Sequence, residues 1–243
     1  MMRNFGISVA MATYNGEKYI KEKLNSILVQ LENNDEIIIS DDGSKDKTLD
    51  IVKSFNDKRI KIFNGPKKGV KQNFANALSK CNGKYIFLAD QDDLWMPTKV
   101  ETVISYFEKN NCFCVIHDAE VFDSNTNEII INSFFDFRNS KNGVIKNIIK
   151  NSYIGCCMAI EKEALCDVLP IPNDIEMHDQ WIGIICDKKK KSIFIEDKLI
   201  RYRRHMENVT EMSHYPLKKM VRNRLCLILR LISLSRCPNG CRI

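Results

Sequence analysis

Residues Tyr85–Pro97 read YIFLADQDDLWMP: an apolar and aromatic run after the breaker Gly83, then Asp90, Asp92 and Asp93, then Trp95 and Pro97. Tyr85 to Ala89 has the makeup of a short buried strand. Carboxylates this close repel one another, and each costs several kcal/mol if buried without a partner. A strand that ends in such a cluster calls for a counter-cation, and hard oxygen ligands suit Mg²⁺ or Mn²⁺. The same residues also read as a solvated acidic turn capping the helix that starts near Pro97, since Asp ahead of Pro is a common helix start. The flanking segments decide between the two.

Working outward, strand and helix alternate. Ile7–Ala12 (ISVAMA) predicts a buried strand, then the turn Thr13-Tyr14-Asn15-Gly16 and a helix over 17–31. Glu36–Ser40 predicts a second strand ending in Asp41-Asp42-Gly43-Ser44, followed by a helix over Lys47–Phe55. Arg59–Phe63 is the third strand, Val70–Cys81 a helix, and Thr98–Lys109 another. This order points to an α/β domain with a mainly parallel sheet flanked by helices. Ligands of open α/β sheets bind outside the carboxyl ends of the strands. Polar clusters sit at three such ends: Thr13-Tyr14-Asn15, Asp41-Asp42, and Asp90 to Asp93. Helix capping accounts for Asp46 well and for Asp41 poorly, which favours one shared site. The first loop carries neither G-x-G-x-x-G nor G-x-x-x-x-G-K-[ST], so a nucleotide here would be held by carboxylates and a metal.

The second half is less regular. Cys112–His117 predicts a strand, and 118–150 shows no period; it reads either as a functional loop or as an insertion tucked down by Phe134, Phe135 and Phe137. Tyr153–Ile160 predicts a strand in which Gly155 allows a close approach. Asp179 reads as an N-cap of a helix over 180–187, as a general base, or as both. Ser192–Glu196 predicts a strand, after which Arg204 and His205 suit a diphosphate or its metal. Leu217–Ser235 predicts an amphipathic helix, with Lys218, Lys219, Arg222, Arg230 and Arg236 on one side. Its apolar run is too short to span a bilayer, so it is expected to lie on an anionic membrane surface or to pack on the domain.

The chain has 243 residues, 44% hydrophobic and 28% charged, enough for one domain over 1–212 with an appendage over 213–243. Its net charge of +6 is concentrated near the end. The expected partners are therefore phosphates or an acidic membrane, with no nucleic acid. The 10 cysteines show no metal-site or oxidoreductase spacing, and Met1–Gly6 offers no apolar leader. Reduced thiols in a cytoplasm are the expectation.

ATYNGEKYI at 12–20, ISDDGSKDKT at 39–48, NGKYIFLADQDDLWMPTK at 82–99, HDQW at 178–181 and YRRHMENVT at 202–210 together resemble the family 2 glycosyltransferases of GT-A fold. The DQDDLW form is most like bacterial rhamnosyltransferase-type members. The resemblance implies a nucleotide-binding half over 1–111 and an acceptor-binding half over 112–212. Thr13, Tyr14 and Asn15 would line the nucleotide pocket, with Asp42 on the base imide and Asp41 beside it. Asp90 would face the ribose and Asp92 the metal, with Asp93 and His205 in the same shell and Arg204 on the diphosphate. Gly155 and Cys156 would lie under the donor sugar, Asp179 would be the catalytic base, and His178 and Trp181 would flank it. The implied reaction is an inverting transfer from dTDP-rhamnose or a UDP-hexose, with Mg²⁺ or Mn²⁺, to a surface glycan or lipid-linked precursor. It would take place in the cytoplasm, at the inner face of the membrane. Two other classes stand beside it. A sugar-nucleotide nucleotidyltransferase would carry a phosphate loop that Met11–Glu17 lacks, and the presence of both Asp92 and Asp179 counts against a non-catalytic binding module.

Overall fold

A computed structural model describes residues 3–189, 191–205 and 217–235. The chain opens with β1 (Ile7–Thr13), α1 (Ile20–Leu28), β2 (Glu36–Asp41), α2 (Thr48–Ser54), β3 (Ile60–Asn64) and α3 (Val70–Leu78). β4 (Tyr85–Ala89), β5 (Leu94–Trp95), α4 (Lys99–Lys109), β6 (Cys114–Asp123), β7 (Ile129–Ile131), α5 (Phe134–Arg138) and α6 (Val144–Ile149) follow. After a one-turn helix at Gly155–Cys157 come β8 (Met158–Glu161), α7 (Leu165–Val168), α8 (His178–Lys188), β9 (Ser192–Arg204) and α9 (Leu217–Ser235).

The 9-stranded sheet has the order β3-β2-β1-β4-β8-β6-β9-β5, with β7 beside β6. β1, β2 and β4 are buried along their whole length, which is why they read as unbroken apolar runs. They and β3 are parallel, in a register that pairs Thr13 with Asp41, Asp41 with Asn64, and Met11 with Ala89. That register brings the polar strand ends to one edge.

Beyond β4 the sheet is mixed, because β8 runs antiparallel between β4 and β6, and β5 runs antiparallel on β9. Several expected boundaries shift here. Tyr153–Ile160 is not one strand, since Gly155–Cys157 forms a helical turn ahead of β8. The segment 118–150 divides into the rest of β6, then β7, α5 and α6. β9 is a single strand of 13 residues that takes in Arg201 to Arg204; its pairing with β6 is irregular around His117 to Ala119. The N-cap of α8 is Met177, so Asp179 sits within the first turn rather than capping it.

α9 packs on the domain by a narrow face, burying Leu227 and Leu231. Asn223 donates to Glu176 at 2.8 Å, Arg230 pairs with Asp174 at 3.0 Å, and Arg224 donates to the carbonyl of Ile149. No helix among the described residues is long and apolar enough to cross a membrane. Arg236 of the expected basic face and Met206 to Thr210 of the YRRHMENVT stretch lie outside the described residues.

Candidate active site

The loop Asp90 to Asp93 leaves β4 and enters β5, and the pairing of β5 with β9 lays the end of β9 along it. The Arg203 amide donates to Asp93 Oδ1 at 3.0 Å, and Arg203 Nε donates to the Asp92 carbonyl at 2.9 Å. The Arg203 guanidinium is itself fixed by Glu22 at 2.6 Å and lies over the Tyr19 ring at 4.8 Å. Two residues on, His205 Nε2 lies 2.8 Å from Asp92 Oδ2, with its ring against Tyr19 at 4.9 Å. One strand thus orients both Asp92 and its imidazole partner.

Behind this pair Asp90 stays partly accessible, whereas Asp93 does not. Asp93 is fully buried, and among the described residues its Oδ2 has no hydrogen-bond partner. Burial, then the charge of Asp92, pushes its carboxyl up to about 6. Burial and the charges of Asp93 and Asp92 hold Asp90 well above the carboxylate range. The compensating charge comes from below. Lys23 of α1 is fully buried, its ammonium 5.5 Å from the Trp95 ring; burial lowers its pKa while Asp93 opposes that. Lys99 is also fully buried and donates to the Cys156 carbonyl at 2.8 Å, with burial bringing its pKa down to about 7.

Candidate metal donors form two groups. Oxygens of Asp90 and Asp93 and the sulfur of Cys156 lie within 4.8 Å of one another. Burial raises the Cys156 thiol far above its ordinary pKa, so this group presents a protonated soft donor and is backed by Lys23. Asp92 and His205, partly accessible at 16% and 10%, offer a hard oxygen and an imidazole and fit Mn²⁺ or Mg²⁺ better.

At the neighbouring strand ends, Thr13 Oγ1 donates to Asp41 Oδ2 at 3.0 Å. Asp41 also accepts from the amides of Gly43 (3.0 Å) and Ser44 (2.8 Å), so its carboxylate closes the turn after β2. Asp42 accepts from the Lys67 amide at 2.6 Å and the Gly69 amide at 2.8 Å, fixing the loop after β3. Gly65 packs so closely here that a Cβ would lie 2.8 Å from Asp42 Oδ1. Asn15 takes a left-handed φ of 48° and accepts from the Lys45 amide at 2.9 Å. Tyr14 projects outward, 53% exposed. Gln91 bonds to both backbone groups of Tyr14, accepting at 3.0 Å and donating at 3.1 Å, which ties the acidic loop to the first loop.

The opposite wall is the first turn of α8. Asp179 is 8% exposed and accepts from the Gln180 amide at 2.5 Å and from Asn151 Nδ2 at 3.4 Å. Burial raises its carboxyl to about 6, and it is near enough to Asp90 for its charge to raise that carboxyl too. Gly155 runs against this turn; a Cβ there would meet His178 Nε2 at 2.8 Å. His178 is buried and stacked on Phe74 at 4.1 Å, with burial lowering its pKa to about 3, so it packs as a neutral ring. Trp181, 2% exposed, donates to the Val168 carbonyl at 2.8 Å and belongs to the core. Arg204 is half-buried at the end of β9, its carbonyl accepting from the Ser124 amide at 2.9 Å.

The structure therefore brings Asp90, Asp92, His205, Gly155, Cys156 and Asp179 into one neighbourhood, tied to Tyr14 through Gln91, with His178 and Trp181 packed into the core beside it. Lys23, Gln91, Lys99, Asn151 and Arg203 were not expected there. One of them had a readable signal. Ile20, Lys23, Leu24 and Ile27 share one buried face of α1, so a lysine stands in an apolar stripe.

Comparison with known proteins agrees with the fold. The sequence model described as Glycosyl transferase family 2 matches residues 8–169. The chain is 28% identical over 220 residues to the Escherichia coli UDP-Glc:alpha-D-GlcNAc-diphosphoundecaprenol beta-1,3-glucosyltransferase WfgD, covering 90% of this chain and 85% of that one. It is 28% identical over 240 residues to the Shigella flexneri dTDP-rhamnosyl transferase RfbG, covering 88% and 80%. Staphylococcus aureus TarS 1–349 in complex with UDP-GlcNAc superposes with a TM-score of 0.70 at 19% identity, over 92% of this chain and 66% of TarS 1–349. The fold is GT-A, and the chain belongs to glycosyl transferase family 2, as an enzyme that draws its sugar from a nucleotide-sugar donor.

Proposed function

We propose that the chain transfers a sugar, with inversion, from a dTDP- or UDP-linked donor to a hydroxyl of a lipid-diphosphate-linked glycan precursor at the inner face of the cell membrane. One observation carries the reading: a buried carboxylate with a raised pKa, Asp179, stands close enough to Asp90 at the head of the acidic loop for its charge to act there. In the reaction the acceptor oxygen attacks the anomeric carbon from the face opposite the diphosphate. The C–O bond to the diphosphate breaks, and the hydroxyl proton passes to the Asp179 carboxylate. Thr13, Tyr14 and Asn15, with Asp41 and Asp42 fixing their loops, form the base pocket; Asp90 faces the ribose. Arg204 supports the leaving diphosphate. Asp92 and His205, with Asp93 behind them, are the residues that would hold Mg²⁺ or Mn²⁺, which when bound neutralises diphosphate charge. Gly155 and the Cys156 backbone form the floor under the sugar, while His178 and Trp181 keep the first turn of α8 in place. Residues 1–111 supply the nucleotide half and 112–212 the acceptor half. The curated relatives support donor and acceptor classes alike, since the names they carry include UDP-Glc, a diphosphoundecaprenol-linked acceptor and a dTDP-rhamnosyl donor.

The test is incubation with α-linked UDP-glucose or β-linked dTDP-rhamnose and a lipid-diphosphate-linked GlcNAc, followed by NMR of the product's anomeric proton. Inversion at the anomeric carbon is expected. A product that retains the donor configuration, or release of nucleoside monophosphate in place of diphosphate, contradicts the proposal.

A further inference from the structure

We infer that α6 and α9 together form a docking surface for an anionic lipid bilayer. The inference rests on the lipid-linked acceptor proposed above and adds the surface that meets the lipid. α9 buries Leu227 and Leu231 but leaves Val221, Leu225, Ile228 and Ile232 exposed, at spacings that place them on one stripe. At about 100° per residue, Arg224 is turned from Leu227 toward that stripe, whereas Asn223 and Arg230 are turned away from it. Arg224 is the residue that reaches the Ile149 carbonyl, so α6 lies on the side of the stripe. On α6, Ile145 and Ile149 are one turn apart and 76% and 59% exposed. The aliphatic surface thus runs across two helices that are far apart in sequence.

Charge decides the occupant. Neither α6 nor α9 contains an acidic residue. The stripe is rimmed by exposed Lys218 and Arg222 on α9 and by Lys150 beside α6. Partial burial lowers the pKa of Lys146, with the like charges of Lys141 and Lys150 adding to it, while its ammonium donates to the Asn139 carbonyl at 2.6 Å. A second copy of the same face would bring these cations together, so self-association is disfavoured. Aliphatic residues flanked by cations instead match the boundary between acyl chains and anionic headgroups.

The placement also reaches the reaction. Gln180, next to the candidate base, donates to the Asn147 carbonyl of α6 at 2.8 Å, and Asn151, two residues beyond α6, donates to Asp179. A docked α6 sets the first turn of α8 just above the membrane surface, where a lipid-linked hydroxyl meets Asp179 while its anchor stays in the bilayer.

The test is co-sedimentation of the full chain with phosphatidylcholine vesicles, with and without phosphatidylglycerol. Binding is expected with phosphatidylglycerol only and should weaken with salt. I145S/I149S, which leaves α9 untouched, should weaken it at least about tenfold. K146Q/K150Q, which also removes the bond from Lys146 to the Asn139 carbonyl and is therefore paired with a thermal melt, should weaken it about tenfold at low salt. The inference is overturned if the wild type ignores anionic vesicles, if both α6 variants bind like wild type, or if the wild type is a dimer that I145S/I149S dissociates. UDP and dTDP binding is measured on the same preparations. A wild type that binds vesicles but no nucleotide overturns the transferase reading and leaves the surface standing.

Discussion

Replacing Asp179 with Asn should stop transfer and stabilise the protein. Burial moves this carboxyl from 3.8 to about 6, which corresponds to about 3 kcal/mol against the ionised form at neutral pH. Between these values the native state holds a proton that the unfolded chain has released. Stability therefore falls as pH rises through that window, and the full penalty applies above it. Asn carries no charge, and its amide oxygen can still accept from the Gln180 amide (2.5 Å) and Asn151 (3.4 Å). After discounting for imperfect replacement, D179N should gain about 1–3 kcal/mol near pH 7.5, or about 2–6 °C in Tm for a chain of this size. The gain should vanish below about pH 3, where Asp179 is protonated in both states. Transfer should fall by about 10²–10⁴-fold, and in the wild type kcat should rise with pH through about 6. Thermal unfolding at the two pH values, paired with a transfer assay, checks all of this. A D179N protein less stable than wild type near neutral pH, or a gain that persists in acid, would refute the reasoning.

Three further substitutions probe the walls of the cleft. Gly155→Ala places a Cβ 2.8 Å from His178 Nε2, and His178 cannot retreat from Phe74; a loss of about 1–3 kcal/mol in denaturant unfolding is expected, with slower transfer and unchanged nucleotide affinity. Lys23→Met removes a buried ammonium that has no hydrogen-bond partner among the described residues but whose charge favours ionised Asp93; a loss of about 1–3 kcal/mol near neutral pH is expected. K23M/D93N should recover most of that, and equal melting temperatures for K23M and wild type would sink the pairing. Gln91→Ala removes both hydrogen bonds to Tyr14 and should weaken nucleotide binding about tenfold with little change in Tm; calorimetry and a melt decide.

The parallel half of the sheet was legible because β1, β2 and β4 are buried on both faces, so each is an apolar run closed by polar residues. The positions of Asp92 and Asp179 stood out because one follows the apolar run of β4 and the other opens a helix. The mixed half was harder. β9 buries only Ser192, Ile195, Leu199, Ile200 and Arg203 of its 13 residues, with no period of two, so the strand predicted over Ser192–Glu196 stops short of its basic end. His178 and Trp181 resemble site residues in sequence, but the ring of one stacks on Phe74 and the indole of the other is spent on Val168. Asp41 looked available for a ligand, yet its carboxylate is taken up by the amides of Gly43 and Ser44. Such contacts join residues distant in sequence or depend on local turn geometry, and hydrophobic period reports neither.

The most direct measurement is calorimetric binding of UDP and dTDP, with and without Mn²⁺, to wild type, Asp92→Ala and His205→Ala. With the donor diphosphate held at the Asp92–His205 pair, wild type should bind a nucleotide in a metal-dependent way, D92A should lose that dependence, and H205A should weaken it. Nucleotide binding that ignores the metal, or that survives unchanged in D92A, would contradict the placement of the site.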